Sequence, residues 1–113
     1  MATDAREPRL DVSRDGERTV VRFVDCTHLD EYTADRVGQQ LLALADGRPG
    51  QQVTLDLGPV EYLTSTVLSY LVRVHKRLLS SGGKLTLANP RPAVRDVFGV
   101  TLLDQVLHIQ PAV

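Results

Sequence analysis

The stretch QVTLDLGPVEYLTSTVLSYLVRVHKRLL, residues 52–79, decides the fold of this 113-residue chain. It starts with a β-rich run at residues 53–57, which Gly58 and Pro59 interrupt before a second apolar run at residues 60–63. From there the apolar residues recur at steps of three and four, which is one face of an α-helix. These residues are Leu68, Leu71, Val72, His75, Leu78 and Leu79. The stretch therefore predicts a strand that leads through a turn into a helix.

Three consecutive hydroxyl residues, Thr64, Ser65 and Thr66, stand where this helix begins. The first turn of a helix has free backbone N–H groups and a partial positive charge, so it stabilises a Ser or Thr oxygen and equally a phosphate group. The triplet has two interpretations, an ordinary helix cap or a phosphorylation site centred on Ser65. Helix physics by itself favours the cap.

The chain before this stretch predicts a hairpin followed by a helix. Residues 9–13 alternate polar and apolar side chains, Asp15-Gly16 is a hairpin turn pair, and residues 19–24 are rich in β-branched residues. The first two strands are therefore expected to pair antiparallel, with residues 25–29 as the loop after them. The helix has an apolar stripe formed by Val37, Leu41, Leu44 and Ala45, with Asp30 or Thr33 as its cap and Gly47 at its end.

The chain after this stretch alternates strand and helix patterns. Gly82-Gly83 is expected to end the central helix, and strands are expected at residues 84–88 and 106–109. Between them, Asn89 is the expected cap of a short helix, residues 101–105 form a further helical turn, and Gly99 separates the two. The buried face of that short helix is predicted to be Val94, Val97 and Phe98.

This order of elements predicts an α/β fold in one domain, residues 9–113, after a flexible tail at residues 1–8. We expect a mixed sheet of four to five strands with an N-terminal antiparallel hairpin and three to four packed helices.

Composition excludes several classes of function. The net charge is −1 and the chain holds no Trp, three Tyr and two Phe, so neither a basic surface nor aromatic stacking favours direct nucleic-acid binding. No run of about 18 apolar residues predicts a membrane span, and the charged N-terminus has no apolar signal segment. The lone Cys26 cannot form an internal disulfide, which fits a cytoplasmic protein.

The candidates for catalysis and metal binding are weak. Ser65 and His75 are ten residues apart on one predicted helix, about 15 Å along its axis, so they cannot form a dyad, and His75 is expected to pack against the core. Cys26 and His28 follow the second strand and are expected at the same end of the sheet as Ser65, but no further pattern supports catalysis. The spacings of His and Cys match no zinc site. We therefore expect no enzyme, no metal and no cofactor.

Positive charge is concentrated in residues 65–95, which hold six basic residues and no acidic one. The six are Arg73, Lys76, Arg77, Lys84, Arg91 and Arg95. This block either attracts an acidic partner surface or is simply the solvated face of two helices.

The segment LDLGPVEYLTS, residues 55–65, resembles the signature of STAS domains, the family of bacterial anti-sigma factor antagonists. Further matches are GGKLTL at residues 82–87, NPRPAV at residues 89–94 and LLD at residues 102–104, so the resemblance covers residues 10–110. Two positions depart from the family pattern. Thr64 stands where the family has Asp, and Val67 stands where it has Gly.

The resemblance implies a protein that binds an anti-sigma factor, typically a serine kinase, and that this kinase phosphorylates on Ser65, with Thr64 and Thr66 as lesser alternatives. The implied partner-binding residues are Asp25, Thr27, His28, Tyr62, Thr64, Ser65, Thr66, Val67 and Leu68. The two departures favour an alternative, a scaffold subunit of a sensory or transport complex that is not phosphorylated. The sequence does not indicate an oligomeric state.

Overall fold

A five-stranded mixed sheet is the frame of the protein, and a computed structural model describes it over residues 9–16, 18–24 and 27–110. Within those residues the elements are, in chain order, β1 (Arg9–Asp15), β2 (Arg18–Val24), β3 (His28–Leu29), α1 (Glu31–Gly47), β4 (Gln52–Asp56), β5 (Tyr62–Leu63), α2 (Ser65–Ser80), β6 (Lys84–Ala88), α3 (Pro92–Val100), a short 3₁₀ helix (Leu103–Gln105) and β7 (His108–Gln110). The predicted fold class is confirmed. The predicted tail, residues 1–8, lies outside the described residues.

The N-terminal hairpin forms as predicted. β1 and β2 pair antiparallel from Arg9 opposite Val24 to Asp15 opposite Arg18. The turn between them uses Gly16 at φ 64°, a left-handed conformation that glycine adopts without steric cost.

The other strands of the large sheet run parallel, in the order β2-β4-β6-β7, after β1 at the edge. Each helix connects two neighbouring parallel strands, and right-handed crossovers place all three helices on one face. The inward-pointing residues of the strands, such as Val21, Leu55 and Leu87, are at most 1% exposed and share one core with the helices. The opposite face carries the exposed Arg22, Gln52 and Lys84 toward solvent.

α1 and α2 pack closely because Gly38 has no side chain. A β-carbon at Gly38 would lie 2.3 Å from ring atoms of Tyr70 on α2. Tyr70 is 8% exposed, and its hydroxyl donates a hydrogen bond to Asp35 Oδ1 at 2.8 Å. Tyr70 is therefore packed between α1 and α2 and does not face solvent.

The end of α2 confirms the prediction for Gly82-Gly83. The N–H of Gly82 donates to the carbonyl of Leu79 at 3.1 Å, and the N–H of Gly83 donates to the carbonyl of Leu78 at 2.7 Å. With Gly82 at φ 84°, this is a Schellman motif, which satisfies carbonyl groups that the helix end would leave free.

Three local predictions need correction. Residues 28–29 were expected in a loop, but they form β3, a two-residue strand. Asn89 is not a helix cap, since it adopts φ 57° and α3 starts at Pro92 with Arg91 as its N-cap residue. Gly99 does not end α3, which continues through Val100.

Candidate functional site

A small parallel ladder between β3 and β5 brings the starts of α1 and α2 side by side. His28 pairs with Tyr62 and Leu29 pairs with Leu63. Backbone hydrogen bonds continue the ladder on both sides, because Glu61 N–H donates to the Thr27 carbonyl at 2.7 Å and Thr64 N–H donates to the Leu29 carbonyl at 3.0 Å. The predicted residues of the first loop and of the hydroxyl triplet therefore belong to one surface.

The three hydroxyl groups have three different environments. Thr64 is the N-cap residue by backbone geometry, but its Oγ1 is buried and has no hydrogen-bond partner among the described residues. Thr66 Oγ1 donates to Glu31 Oε2 at 2.7 Å. Ser65, the first residue of α2, is exposed. Of the three residues, Ser65 is therefore the most exposed.

The cap interpretation of Ser65 does not fit this geometry. Ser65 lies inside the helix, and the residue at the N-cap position, Thr64, makes no side-chain cap bond. α1 is capped in the usual way, because Asp30 Oδ1 accepts from Thr33 N–H at 3.1 Å. That confirms Asp30 rather than Thr33 as the cap of α1.

The start of α2 is electrostatically suited to an anion. Its first turn contains no acidic residue of its own, and its free N–H groups and dipole carry partial positive charge. A phosphate group on Ser65 would be attached at this end of the helix. A negatively charged group at this end of α2 would therefore be stabilised by the helix.

Exposed aromatic side chains lie near the hydroxyl triplet. Tyr62 is 52% exposed, and its ring centroid is 6.1 Å from that of His28. His28 Nδ1 is 2.9 Å from Thr27 Oγ1. Tyr32, in the first turn of α1, is 41% exposed with the Arg36 guanidinium 5.7 Å from its ring centroid. Tyrosines in such positions are typical of protein interfaces.

Sequence reasoning missed Tyr32, although a signal for it existed. Tyr32 lies outside the apolar stripe of α1, so an amphipathic reading places this aromatic residue on the solvent side. An aromatic residue on that face, near the start of the helix, indicates a contact surface.

Two of the predicted partner-binding residues are not at the surface. Val67 is 2% exposed and Leu68 is 6% exposed, because both point from α2 into the core. Their side chains are therefore part of the core and not of the contact surface. Asp25, also predicted, lies outside the described residues.

The basic block divides between several elements. Arg73, Lys76 and Arg77 share the exposed side of α2. The Arg73 guanidinium is 5.0 Å from the Tyr70 ring centroid, and Arg77 Nη1 is 2.5 Å from Asp46 Oδ2. α2 therefore presents a basic surface that begins about two turns after Ser65.

Asp56, the acidic residue that ends β4, has a structural role. Its Oδ1 accepts from Gly58 N–H at 2.9 Å, and its Oδ2 accepts from Arg22 Nε at 3.2 Å. Arg91 Nε donates to the Gly58 carbonyl at 2.9 Å. These bonds fix the turn that leads from β4 to the hydroxyl triplet.

Other chemistry finds little support in the described residues. They contain no group of three or more His, Cys, Asp or Glu side chains placed to hold a metal ion. His75 is half-buried on α2, as predicted, ten residues along the same helix from Ser65. None of the described helices is long and apolar enough to span a bilayer.

Comparison with known proteins shows the family of this chain. A family model for STAS domains matches residues 11–113. BtrV of Bordetella bronchiseptica, whose name assigns it provisionally to the anti-sigma factor antagonists, is 34% identical over 73 residues, which are 65% of this chain and 62% of BtrV. The match thus spans less than two thirds of that relative.

Solved structures of two other proteins share the fold. An anti-sigma-factor antagonist (STAS) domain protein of Planctomyces limnophilus superposes with a TM-score of 0.83 at 26% identity, over 92% of this chain and 91% of that one. SpoIIAA of Bacillus has been solved unphosphorylated, with a TM-score of 0.68 at 15% identity over 93% of this chain and 90% of that one. Its phosphorylated form gives 0.67 at 16% identity over 89% and 90%. The chain belongs to the STAS domain family.

Proposed function

We propose that this protein is an anti-sigma factor antagonist that acts in the cytoplasm. It binds an anti-sigma factor with serine kinase activity and so frees a sigma factor, and the same kinase phosphorylates it on Ser65. The observation that carries this proposal is the environment of the hydroxyl triplet. Ser65 is exposed at the start of α2, while the Thr64 hydroxyl is buried and the Thr66 hydroxyl is bonded to Glu31.

Names of relatives support the same function. BtrV and the Planctomyces limnophilus protein are both described as anti-sigma factor antagonists. SpoIIAA, which shares the fold, exists in phosphorylated and unphosphorylated forms. These names and forms are those of the relatives, and we propose the same function for this chain.

The covalent step is a phosphoryl transfer. The bond between the β,γ-bridging oxygen and the γ-phosphorus of ATP breaks, a bond forms between Ser65 Oγ and that phosphorus, ADP leaves, and a base of the kinase takes the hydroxyl proton. The product carries an added charge of about −1.5 to −2 at pH 7.

The contact surface consists of Thr27, His28, Tyr32 and Tyr62 around Ser65, with the basic side of α2 beyond it. A partner surface that matches it is acidic near Arg73 and Lys76 and offers an apolar contact to the tyrosines. A phosphate on Ser65 lies within this surface, so it would repel such an acidic partner and would need to be desolvated on binding. Phosphorylation is thereby expected to release the partner.

The first experiment is phosphopeptide mass spectrometry on residues 58–73 of the native protein. We expect phosphate on Ser65 and none on Thr64 or Thr66. A matched set of variants then separates the switch from general charge effects. Ser65→Ala should still bind the partner. Ser65→Asp should bind it at least tenfold more weakly, a loss of about 1.4 kcal/mol of binding free energy. Ser69→Asp, one turn further along the exposed side of α2, should lose less binding free energy than Ser65→Asp. A Ser65→Asp variant that binds like wild type would refute the switch.

One observation favours the second candidate, a scaffold subunit of a sensory or transport complex. Thr64 occupies the position where the family pattern has Asp, so Ser65 lacks the acidic neighbour of that pattern. This candidate predicts no phosphate on Ser65 under several growth and stress conditions, together with stable co-purification in a larger complex. Finding the protein only as a free monomer in lysate would contradict it.

A further inference from the structure

The contact between Glu31 and Thr66 links the two helices that start beside the candidate phosphorylation site. Thr66 Oγ1 donates to Glu31 Oε2 at 2.7 Å, a short bond to a charged acceptor. Glu31 is the first residue of α1, and Thr66 is the second residue of α2. The β3–β5 ladder holds these two helix starts next to each other, so the bond joins elements that lie 35 residues apart in sequence.

Glu31 also supplies a negative charge that α2 does not supply itself. It is the acidic residue in the first turn of α1, whereas the first turn of α2 contains none. The Thr64 side chain makes no cap bond to α2. Through Thr66, the Glu31 carboxylate therefore faces the positive ends of two helix dipoles at once.

A phosphate on Ser65 would compete with Glu31 at the start of α2. The Cα atoms of Ser65 and Thr66 are about 3.8 Å apart, so the phosphate and the Glu31 carboxylate would lie well within reach of each other at physiological ionic strength, where the Debye length is about 8 Å. The phosphate carries the larger charge and is attached to α2 itself. It would satisfy the positive end of α2 and repel Glu31.

We propose that the Glu31–Thr66 hydrogen bond is a latch that phosphorylation of Ser65 opens. In the unmodified protein Glu31 holds the Thr66 hydroxyl and ties the start of α1 to that of α2. In the phosphorylated protein Glu31 leaves Thr66, so this bond no longer ties the start of α1, which carries Tyr32, to the start of α2. The inference rests on the proposed function, because it describes what phosphate at Ser65 does, and it adds a second route by which phosphate weakens partner binding.

A double-mutant cycle tests the latch without any kinase or partner. Phosphoserine is placed at position 65 by semisynthesis, and urea unfolding is measured for wild type, Glu31→Gln, Thr66→Val and the double variant, each with serine and with phosphoserine. The cycle subtracts the separate effect that Glu31→Gln has on the dipole of α1. In the serine form, we expect the coupling between Glu31 and Thr66 to correspond to about a fivefold change in the unfolding equilibrium constant, which is the size of a net hydrogen bond. In the phosphoserine form, we expect no measurable coupling between the two residues.

Further control variants show whether the coupling is specific to the Glu31–Thr66 bond. Thr66→Ser keeps the hydroxyl, so its cycle with Glu31→Gln should give little coupling in either form. Thr66→Ala removes the hydroxyl and replaces Thr66→Val in the cycle if that variant folds poorly. Glu61→Gln, an exposed acidic residue between β4 and β5, should show no coupling to Thr66 in either form. Equal coupling with serine and phosphoserine would overturn the proposal, and so would absence of coupling in the serine form. Failure of the proposed function would appear separately, as unchanged partner binding by phosphoserine protein.

Discussion

Gly38 on α1 lies directly against the ring of Tyr70 on α2, where a β-carbon would be 2.3 Å from the ring. The aromatic ring fills the space that a side chain at position 38 would need, and the Tyr70 hydroxyl is fixed by Asp35. This contact sets the distance between the two helices that form the candidate site.

Replacement of Gly38 is expected to separate the helices. Gly38→Ala should lower the free energy of unfolding by about 1–2 kcal/mol, because the overpacking cost exceeds the gain in helix propensity. Gly47→Ala is the matched control, since a β-carbon at Gly47 meets nothing within 4 Å and the helix should become no less stable. Urea unfolding followed by circular dichroism measures both. Equal stability of the two variants would contradict the contact.

The two glycines after α2 are expected to respond differently. Gly83→Ala should lower the free energy of unfolding by about 3 kcal/mol, since its β-carbon would lie 2.3 Å from the backbone oxygen of Gln51, which cannot move aside. Gly82→Ala should cost about 1 kcal/mol, because nothing lies within 4 Å and the cost comes from φ 84° alone. Gly82→Asn should recover part of that loss, since Asn tolerates the left-handed region. Thermal unfolding of the three variants checks this order, and a Gly83→Ala variant as stable as Gly82→Ala would contradict it.

Asp56 is expected to contribute more to stability than a surface ion pair does. Its side chain is 14% exposed and accepts hydrogen bonds from both Arg22 and the Gly58 N–H. Asp56→Ala should therefore lower the free energy of unfolding by about 2 kcal/mol. Asp46 also pairs with an arginine, but both side chains are about half exposed, so Asp46→Ala should cost less than about 0.5 kcal/mol. Chemical denaturation of the two variants measures the difference. Similar losses would show that Asp56 has no special role in the turn.

The basic side of α2 is expected to guide an acidic partner. Replacing Arg73 or Lys76 by Ala should slow association and weaken binding by about 0.2–1 kcal/mol each, and both effects should shrink as salt increases. Lys84→Ala is the control, because Lys84 lies on the open face of the sheet. Surface plasmon resonance at several salt concentrations with the candidate anti-sigma factor gives the rates. If Lys84→Ala weakens binding as much as Lys76→Ala, the partner does not dock along α2.

Local sequence signals predicted most of the frame. The Asp15-Gly16 pair marked the hairpin, and Gly82-Gly83 marked the end of α2. The apolar steps after Thr66 predicted the helix and the buried Leu68, Leu71 and Leu78, but Leu79 is 53% exposed. Each signal works within a few residues, because turn geometry and helix periodicity depend on neighbouring side chains. The family resemblance also follows from such a continuous segment, residues 55–65.

Other features required distant parts of the chain to meet. β3 and β5 have two residues each, too few for a periodic pattern, and they exist because their backbones bond each other. Asn89 looked like a cap in sequence, but it lies in the left-handed region with its Nδ2 atom 3.4 Å from Asp56 Oδ1. Tyr70 is buried because Gly38, 32 residues earlier in the chain, leaves space for its ring.

The sequence by itself determined that three hydroxyl residues stand at the start of a helix in a STAS-type α/β fold. Only the tertiary structure decided which of the three is accessible. The bond from Thr66 to Glu31 depends on the docking of α1 beside α2, which the β3–β5 ladder brings about, and the Thr64 hydroxyl is buried only in the folded chain. Exposure of a side chain is a property of everything packed around it, and a local sequence pattern does not contain that information.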